Sequence, residues 1–261
     1  MLALDGLDNA TDATLGAIAN IPADSGTAKL LTSVGPNFYV YLDQSGTGAI
    51  TKISSDGSVA SSTAVKDISP SAMFSSDGYV ALVDTNAQKL TSLSISKSTL
   101  ISKTFSSDPL VNFEIYQDNL YGLTSTGIIK ITDAALGKTD VQPWLAGGTS
   151  LVAEASLITV DGNVYVLSSN GTLTTYYKGK KTNEITTAVS PDTGSMLLTN
   201  TSSPNLHLVN VSTGRIYVFA KNTGVVSKTL KINSAKPISG ATLSADGTIY
   251  ILSDNKIWKV Q

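Results

Sequence analysis

The sequence predicts an all-β protein, a ring of six four-stranded blades, and three observations carry that prediction. First, one strand pattern recurs six times, as NFYVYLD, YVALVD, NLYGLTS, NVYVLSS, NLHLVNV and TIYILSD. These copies put Tyr39, Ala81, Tyr121, Tyr165, His207 and Tyr250 at one position, with spacings of 42, 40, 44, 42 and 43 residues. Second, each copy is followed by a short turn rich in Gly, Asn and Ser and then by a further strand with its own pattern. Third, six such units nearly exhaust the 261 residues. Four short strands at this period are the mark of a propeller blade, which buries its faces only against its neighbours.

The elements follow in order within each unit. First strands read AKLLTSV, SAMFSS, VNFEIYQ, AEASLITV, SMLLTNT and SGATLSA. Three of them are followed by an Asp-Gly pair, at Asp77, Asp161 and Asp246, and a fourth pair, at Asp56, follows a third strand. Asp-Gly suits a tight hairpin with positive φ, and the spacing of a calcium loop is absent, so these pairs are expected to be turns. Third strands read AITKIS, KLTSLSI, GIIKIT, TLTTYY, RIYVFA and KIWKV. They repeat apolar pairs three apart: Ile50 with Ile53, Ile128 with Ile131, Ile216 with Phe219, and Ile257 with Val260. Residues three apart point to opposite faces, so these strands should pack on both sides. Fourth strands include SVASSTAV, TLISKTF and VVSKTLKI. The sixth unit stops at its third strand. LGAIANIP, residues 15–22, is expected to supply the missing fourth, complete the last blade and close the ring. Residues 1–14 read as a lead-in or linker remnant, and 15–261 as the six-bladed domain.

Composition narrows the function classes. Charged residues make up only 15% of the chain, against about 25% in ordinary soluble domains. Ser and Thr fill the gap, as expected where outward strand positions carry hydroxyls. Net charge is −2, and the only basic run is Lys178, Lys180 and Lys181. No face could displace the counterions of a nucleic acid, so no nucleic-acid partner is expected. There is no cysteine, which excludes a disulfide framework and a thiol nucleophile. No stretch approaches the roughly 18 apolar residues of a membrane span, so no membrane insertion is expected. Met1 is followed by neither a basic nor an apolar segment, so no signal peptide is expected. A piece of a longer bacterial protein stays open, and in that case an extracellular or cell-surface location is favoured.

The repeats, of the form DG-x-(I/V)-Y-(I/V)-L followed by a third strand, resemble the broad group of six-bladed β-propellers. That group includes NHL-repeat, TolB-like and lactonase-like members, and the resemblance covers residues 15–261. It implies a central channel lined by the first strands. Ligands would sit at the mouth formed by the fourth-to-first and second-to-third connections. It implies no single activity, because propellers host binders, scaffolds and several enzyme classes. Lactonase-like members hold a divalent cation with a carboxylate and amides on the first strands. Here only Glu114 and Glu154 are acidic there, they fall at different strand heights, and no ring of Asp or Asn accompanies them. A hard cation wants several converging oxygens, so neither a metal nor another cofactor is expected.

Four residues stand out as ligand-binding candidates, and no catalytic residue is assigned. Glu114, aligned without gaps on the second strand, matches Phe74, Ile158 and Leu243. A carboxylate at an apolar position is costly unless paired or wet, so a turn towards channel water is expected, with a ligand-facing role beside it. Tyr116 shares its strand, and Glu154 is the second acidic residue. Trp144 lies in PWLAGG, in the longest connection on the presumed binding face, as a partner anchor or as a plug over its blade. His207, the sole histidine, takes the place of Tyr in four repeats and reads as structural. The leading expectation is a non-catalytic binding propeller that takes a protein, peptide or glycan on its loop face and is itself a monomer. A lactonase-like hydrolase or lyase, and the sensor domain of a membrane signalling protein, are the alternatives.

Overall fold

A computed structural model describes residues 10–44, 47–76, 78–233 and 237–261. Two N-terminal strands come first, β1 (Thr11–Asp12) and β2 (Leu15–Asn20). Blade 1 is β3 (Thr27–Val34), β4 (Asn37–Asp43), β5 (Gly48–Ile53) and β6 (Val59–Val65). Blade 2 is β7 (Ala72–Ser75), β8 (Tyr79–Asp84), β9 (Lys89–Ser94) and β10 (Leu100–Thr104). Blade 3 is β11 (Leu110–Tyr116), β12 (Asn119–Thr124), β13 (Ile128–Ile131) and β14 (Val141–Pro143). Blade 4 is β15 (Ala155–Val160), β16 (Val164–Ser168), β17 (Thr172–Tyr177) and β18 (Lys180–Thr186). Blade 5 is β19 (Met196–Leu198), β20 (Asn205–Asn210), β21 (Arg215–Ala220) and β22 (Val226–Lys231). Blade 6 is β23 (Ile238–Leu243), β24 (Ile249–Ser253) and β25 (Lys256–Val260), with β2 as its fourth strand. The predicted architecture is therefore the observed one, a six-bladed propeller of antiparallel blades.

The core lies between blades rather than within them, and the third strands show why. Ile50 packs with Val80 and Leu82 of blade 2, while Ile53 turns to Leu252 and Ile257 of blade 6. Ile128 and Ile131, Ile216 and Phe219, and Ile257 and Val260 divide in the same way between their two seams. A side chain buried this way is worth about 1.5–3 kcal/mol, and each blade depends on both neighbours to collect it.

Closure follows the expected route with an addition. β2 pairs antiparallel with β25, Leu15 facing Val260 and Asn20 facing Lys256. Upstream, β1 pairs parallel with β22, Thr11 facing Leu230, and so adds a fifth strand to blade 5. The lead-in assigned to residues 1–14 thus contains a strand, and 1–9 lie outside the described residues. Blade 1 leans on the joint from the other side. Gly57, in the β5–β6 turn, has φ +84°, and a Cβ there would sit 2.2 Å from the Ile18 carbonyl oxygen. Only glycine permits both the dihedral and the approach. Asn255 ties the same seam, accepting from the Ala28 amide at 2.9 Å and donating to the Gly26 carbonyl at 2.8 Å.

The Asp-Gly pairs among the described residues, at Asp56, Asp161 and Asp246, are turns, as expected. Asp56 accepts from the amide and hydroxyl of Ser58, and Asp246 from the Ser244 hydroxyl and the Thr248 amide. Asp77 lies outside the described residues.

Candidate functional site

The inner strands enclose a channel of about 730 Å³. One position on each inner strand faces the shared Tyr/Ala/His position across the first ladder. Thr32 faces Tyr39, Phe74 faces Ala81 and Glu114 faces Tyr121. Thr159 faces Tyr165, Leu198 faces His207 and Thr242 faces Tyr250. This corrects the ungapped alignment, which set Glu114 beside Ile158 and Leu243. The first-to-second turns differ in length, so the partner lies one residue nearer in blade 4 and one farther in blade 6. A one-residue slip exchanges the two faces of a strand. Glu114 therefore occupies a position that is threonine in three blades, and its strand carries no irregularity there.

Around this level, polar contacts bind blade to blade. The hydroxyls of Ser33 and Thr242 lie 3.2 Å apart between blades 1 and 6. Thr32 donates to the Ser75 hydroxyl at 3.1 Å between blades 1 and 2. The Thr159 hydroxyl donates to Glu114 Oε2 at 3.2 Å between blades 4 and 3, and the Ile158 amide donates to Asn112 Oδ1 at 3.0 Å. Between blades 4 and 5, Lys221 Nζ meets the Asp161 carboxylate at 2.5 Å, with both side chains largely buried. Asn200 donates to the Ser244 carbonyl at 3.0 Å between blades 5 and 6. At the seam of blades 2 and 3, Phe74 and Phe113 pack edge to face with centroids 5.2 Å apart. The result is a collar near the first-to-second turns.

Electrostatics single out Glu114. It keeps part of its surface open only to the channel and is otherwise enclosed, so loss of water pushes its carboxyl up to about 8. The Thr159 hydrogen bond opposes that shift without cancelling it. At neutral pH the group is largely a neutral acid, able to donate as well as accept. Tyr116 ends the same strand, lines the channel and is pushed up by burial and then by the Asp161 charge. Lys221 is held further by the carbonyls of Asn200 and Ser203 and lies over the Tyr165 ring, 5.7 Å from its centroid. His207 is buried in blade 5 with Nδ1 unpartnered, and burial followed by the Lys221 charge pulls it down to about 4. It is neutral, away from the channel wall, and fits a ring packed in place of tyrosine.

Of the four sequence candidates, the structure brings Glu114 and Tyr116 together in the channel. Glu154 is elsewhere: left-handed at φ +56° and exposed, it accepts from the Ser169 hydroxyl at 3.1 Å on the loop face. It borders a groove there with Thr126 and Ser150. Trp144 is turned into the seam between blades 3 and 4, edge to face on Tyr121 at 5.8 Å. Its carbonyl lies against Gly179 of the blade 4 hairpin, where a Cβ would come within 2.5 Å. Sequence reasoning missed Thr159, Asn112, Asp161 and Lys221 as parts of this assembly. The only signal for Asp161 was its Asp-Gly pair, which reads the same at Asp56 and Asp246. Among the described residues, no three His, Cys, Asp or Glu side chains converge to hold a metal. No described helix is long and apolar enough to cross a membrane.

Six blades closed by an N-terminal strand around a channel define the class, a six-bladed β-propeller, and known structures agree. No protein-family model matches the sequence, and no curated protein matches it. The fold is similar to that of a streptogramin B lyase, with TM-score 0.63 and 14% identity over 96% of this chain and 98% of that one. It is also similar to the glutaminyl cyclase of Myxococcus xanthus, with TM-score 0.52 and 9% identity over 97% and 98%. A computationally designed protein, Ika8, matches with TM-score 0.52 and 11% identity over 90% of this chain and 70% of that one. At such identities the likeness establishes the fold and leaves the chemistry to the site.

Proposed function

We propose that this propeller is a ligand-binding protein without catalytic activity, and that its channel is the binding site. The observation that carries the reading is Glu114, a carboxyl met by a neutral hydroxyl and set in a channel walled mostly by apolar side chains and hydroxyls. A mostly apolar concavity with a few oriented polar groups is the usual form of a small-molecule site. A thermal-shift screen of small molecules against the parent and Ser71→Trp tests it, since Ser71 is an exposed residue on the channel wall. Hits that stabilise the parent and lose their effect in Ser71→Trp are expected. Hits indifferent to that change would move the site to the loop-face groove beside Glu154, where a peptide or glycan would dock.

A catalytic channel is the second reading, and one observation favours it. A carboxyl that titrates near neutrality is suited to general acid and base work. Turnover of any screened hit, abolished by Glu114→Gln, would establish it over the first.

A further inference from the structure

We propose that the channel ligand carries a basic nitrogen on an apolar body, and that Glu114 is the counter-charge that receives it. This rests on the channel being the binding site. The ionisable groups on the channel wall, among the described residues, are Glu114, Tyr116 and Asp161, with no Lys, Arg or His among them. Asp161 already holds Lys221. The donor that reaches Glu114 from the next blade is a neutral hydroxyl, that of Thr159. Glu114 is thus the one wall carboxyl, among the described residues, without a cation against it. An anionic ligand would meet like charge there, whereas an ammonium would supply what burial has removed. The rest of the wall matches an apolar body, with Leu31, Met73, Phe74, Leu110, Met196 and Leu198. Phe74 stands at the ring position equivalent to Glu114 on the neighbouring blade, and an aromatic face favours a desolvated cation.

The idea fixes the sign of the pH dependence. An ammonium must meet a carboxylate, so binding expels the Glu114 proton. Affinity should rise about tenfold per pH unit below the carboxyl's pKa and level off above it. An amine remains charged to about pH 10. The other groups near the lower channel do not imitate this. Tyr116 on β11 is pushed up by burial, and Tyr121 faces Glu114 from β12 with Lys130 over its ring. Asp161 after β15 is paired with Lys221 of blade 5, and His207 is pulled down to about 4. A neutral ligand accepting a hydrogen bond from protonated Glu114 would give the opposite slope.

Calorimetric titration with phenethylamine and the uncharged 3-phenylpropanol, from pH 6 to 9, decides between them. Phenethylamine should bind more tightly as pH rises from 6 to 8 and should exceed the alcohol at least tenfold at pH 8. Glu114→Gln should erase both the preference and the slope, with Glu114→Asp restoring part of each. Equal binding of the two probes, a falling slope, or an unchanged amine affinity in Glu114→Gln overturns the proposal. If both bind equally and Ser71→Trp blocks both, the channel reading stands and only the ammonium fails. If neither binds, the ammonium falls, and the screen of the parent against Ser71→Trp decides the channel separately.

Discussion

The collar around the channel has two halves made from different chemistry. Through blades 6, 1 and 2 the links are hydroxyl to hydroxyl, Ser33 with Thr242 and Thr32 with Ser75. Through blades 3, 4 and 5 they involve ionisable groups, Glu114 with Thr159 and Asp161 with Lys221. Both halves solve one problem, the pairing of polar groups where neighbouring blades meet. The hydroxyl half is neutral at every pH and worth about 1 kcal/mol per bond. The ionisable half stakes more, because a buried charge left without its partner is expensive. Glu114 stands where three other blades carry threonine, so closure at this level does not require a carboxyl.

The sharpest break should come at Lys221. Lys221→Met leaves the Asp161 carboxylate buried without a cation and should cost about 3–5 kcal/mol, read as a fall in the urea midpoint. It should also lift the His207 titration, measured by NMR, because the Lys221 charge is one of the forces holding it down. An unchanged midpoint would mean that the pair contributes no more than a surface bridge.

Glu114 should give the next effect, and only on the alkaline side. Its folded pKa is raised to about 8, so the folded state keeps a proton that the unfolded chain gives up near its ordinary value. Stability is fully present below that value and is lost as pH rises towards 8. Channel water screens the penalty, and Glu114→Gln should gain about 2 kcal/mol over the parent at pH 8 and almost nothing at pH 4. A parallel pH profile for the two proteins would contradict the enclosure of this carboxyl.

His207 should show the opposite sign. Its folded pKa is pulled from 6.5 to about 4, so the unfolded chain takes up a proton first and stability falls as pH drops through that window. His207→Tyr, which restores the residue of four other repeats, should gain about 1–2 kcal/mol at pH 5 relative to pH 7. The smallest effect belongs to the hydroxyl half. Thr242→Val should cost about 1 kcal/mol at every pH, and a pH-dependent loss there would erase the distinction between the halves.

The sequence made the ring legible because its signal is periodic. The repeated second strand located each blade, and the apolar pairs of the third strands marked a residue for each seam. The strand that closes blade 6 was legible from a deficit, a missing fourth strand. The collar was not legible, because its partners meet across blades about 40 residues apart and depend on turn length. Glu114 drew notice as a misfit, yet its neighbour Thr159 lay one residue away from where fixed spacing placed it. Trp144 was visible, but whether it faced a partner or a seam depended on the Gly179 hairpin beneath it. Two threonine residues of the hydroxyl half, Thr32 and Thr242, resembled any surface hydroxyl in so Ser- and Thr-rich a chain.

The two N-terminal strands also set an order of assembly. Leu15 can find Val260, and Thr11 can find Leu230, only after five blades' worth of chain lies between them. The earliest segment must wait for the latest, and that long wait is costly in loop entropy and slow. Until then β25 presents an unpaired edge, and so does blade 5 at β22. An extended peptide of sequence LGAIAN should therefore trap the unclosed ring during refolding and leave the closed one alone.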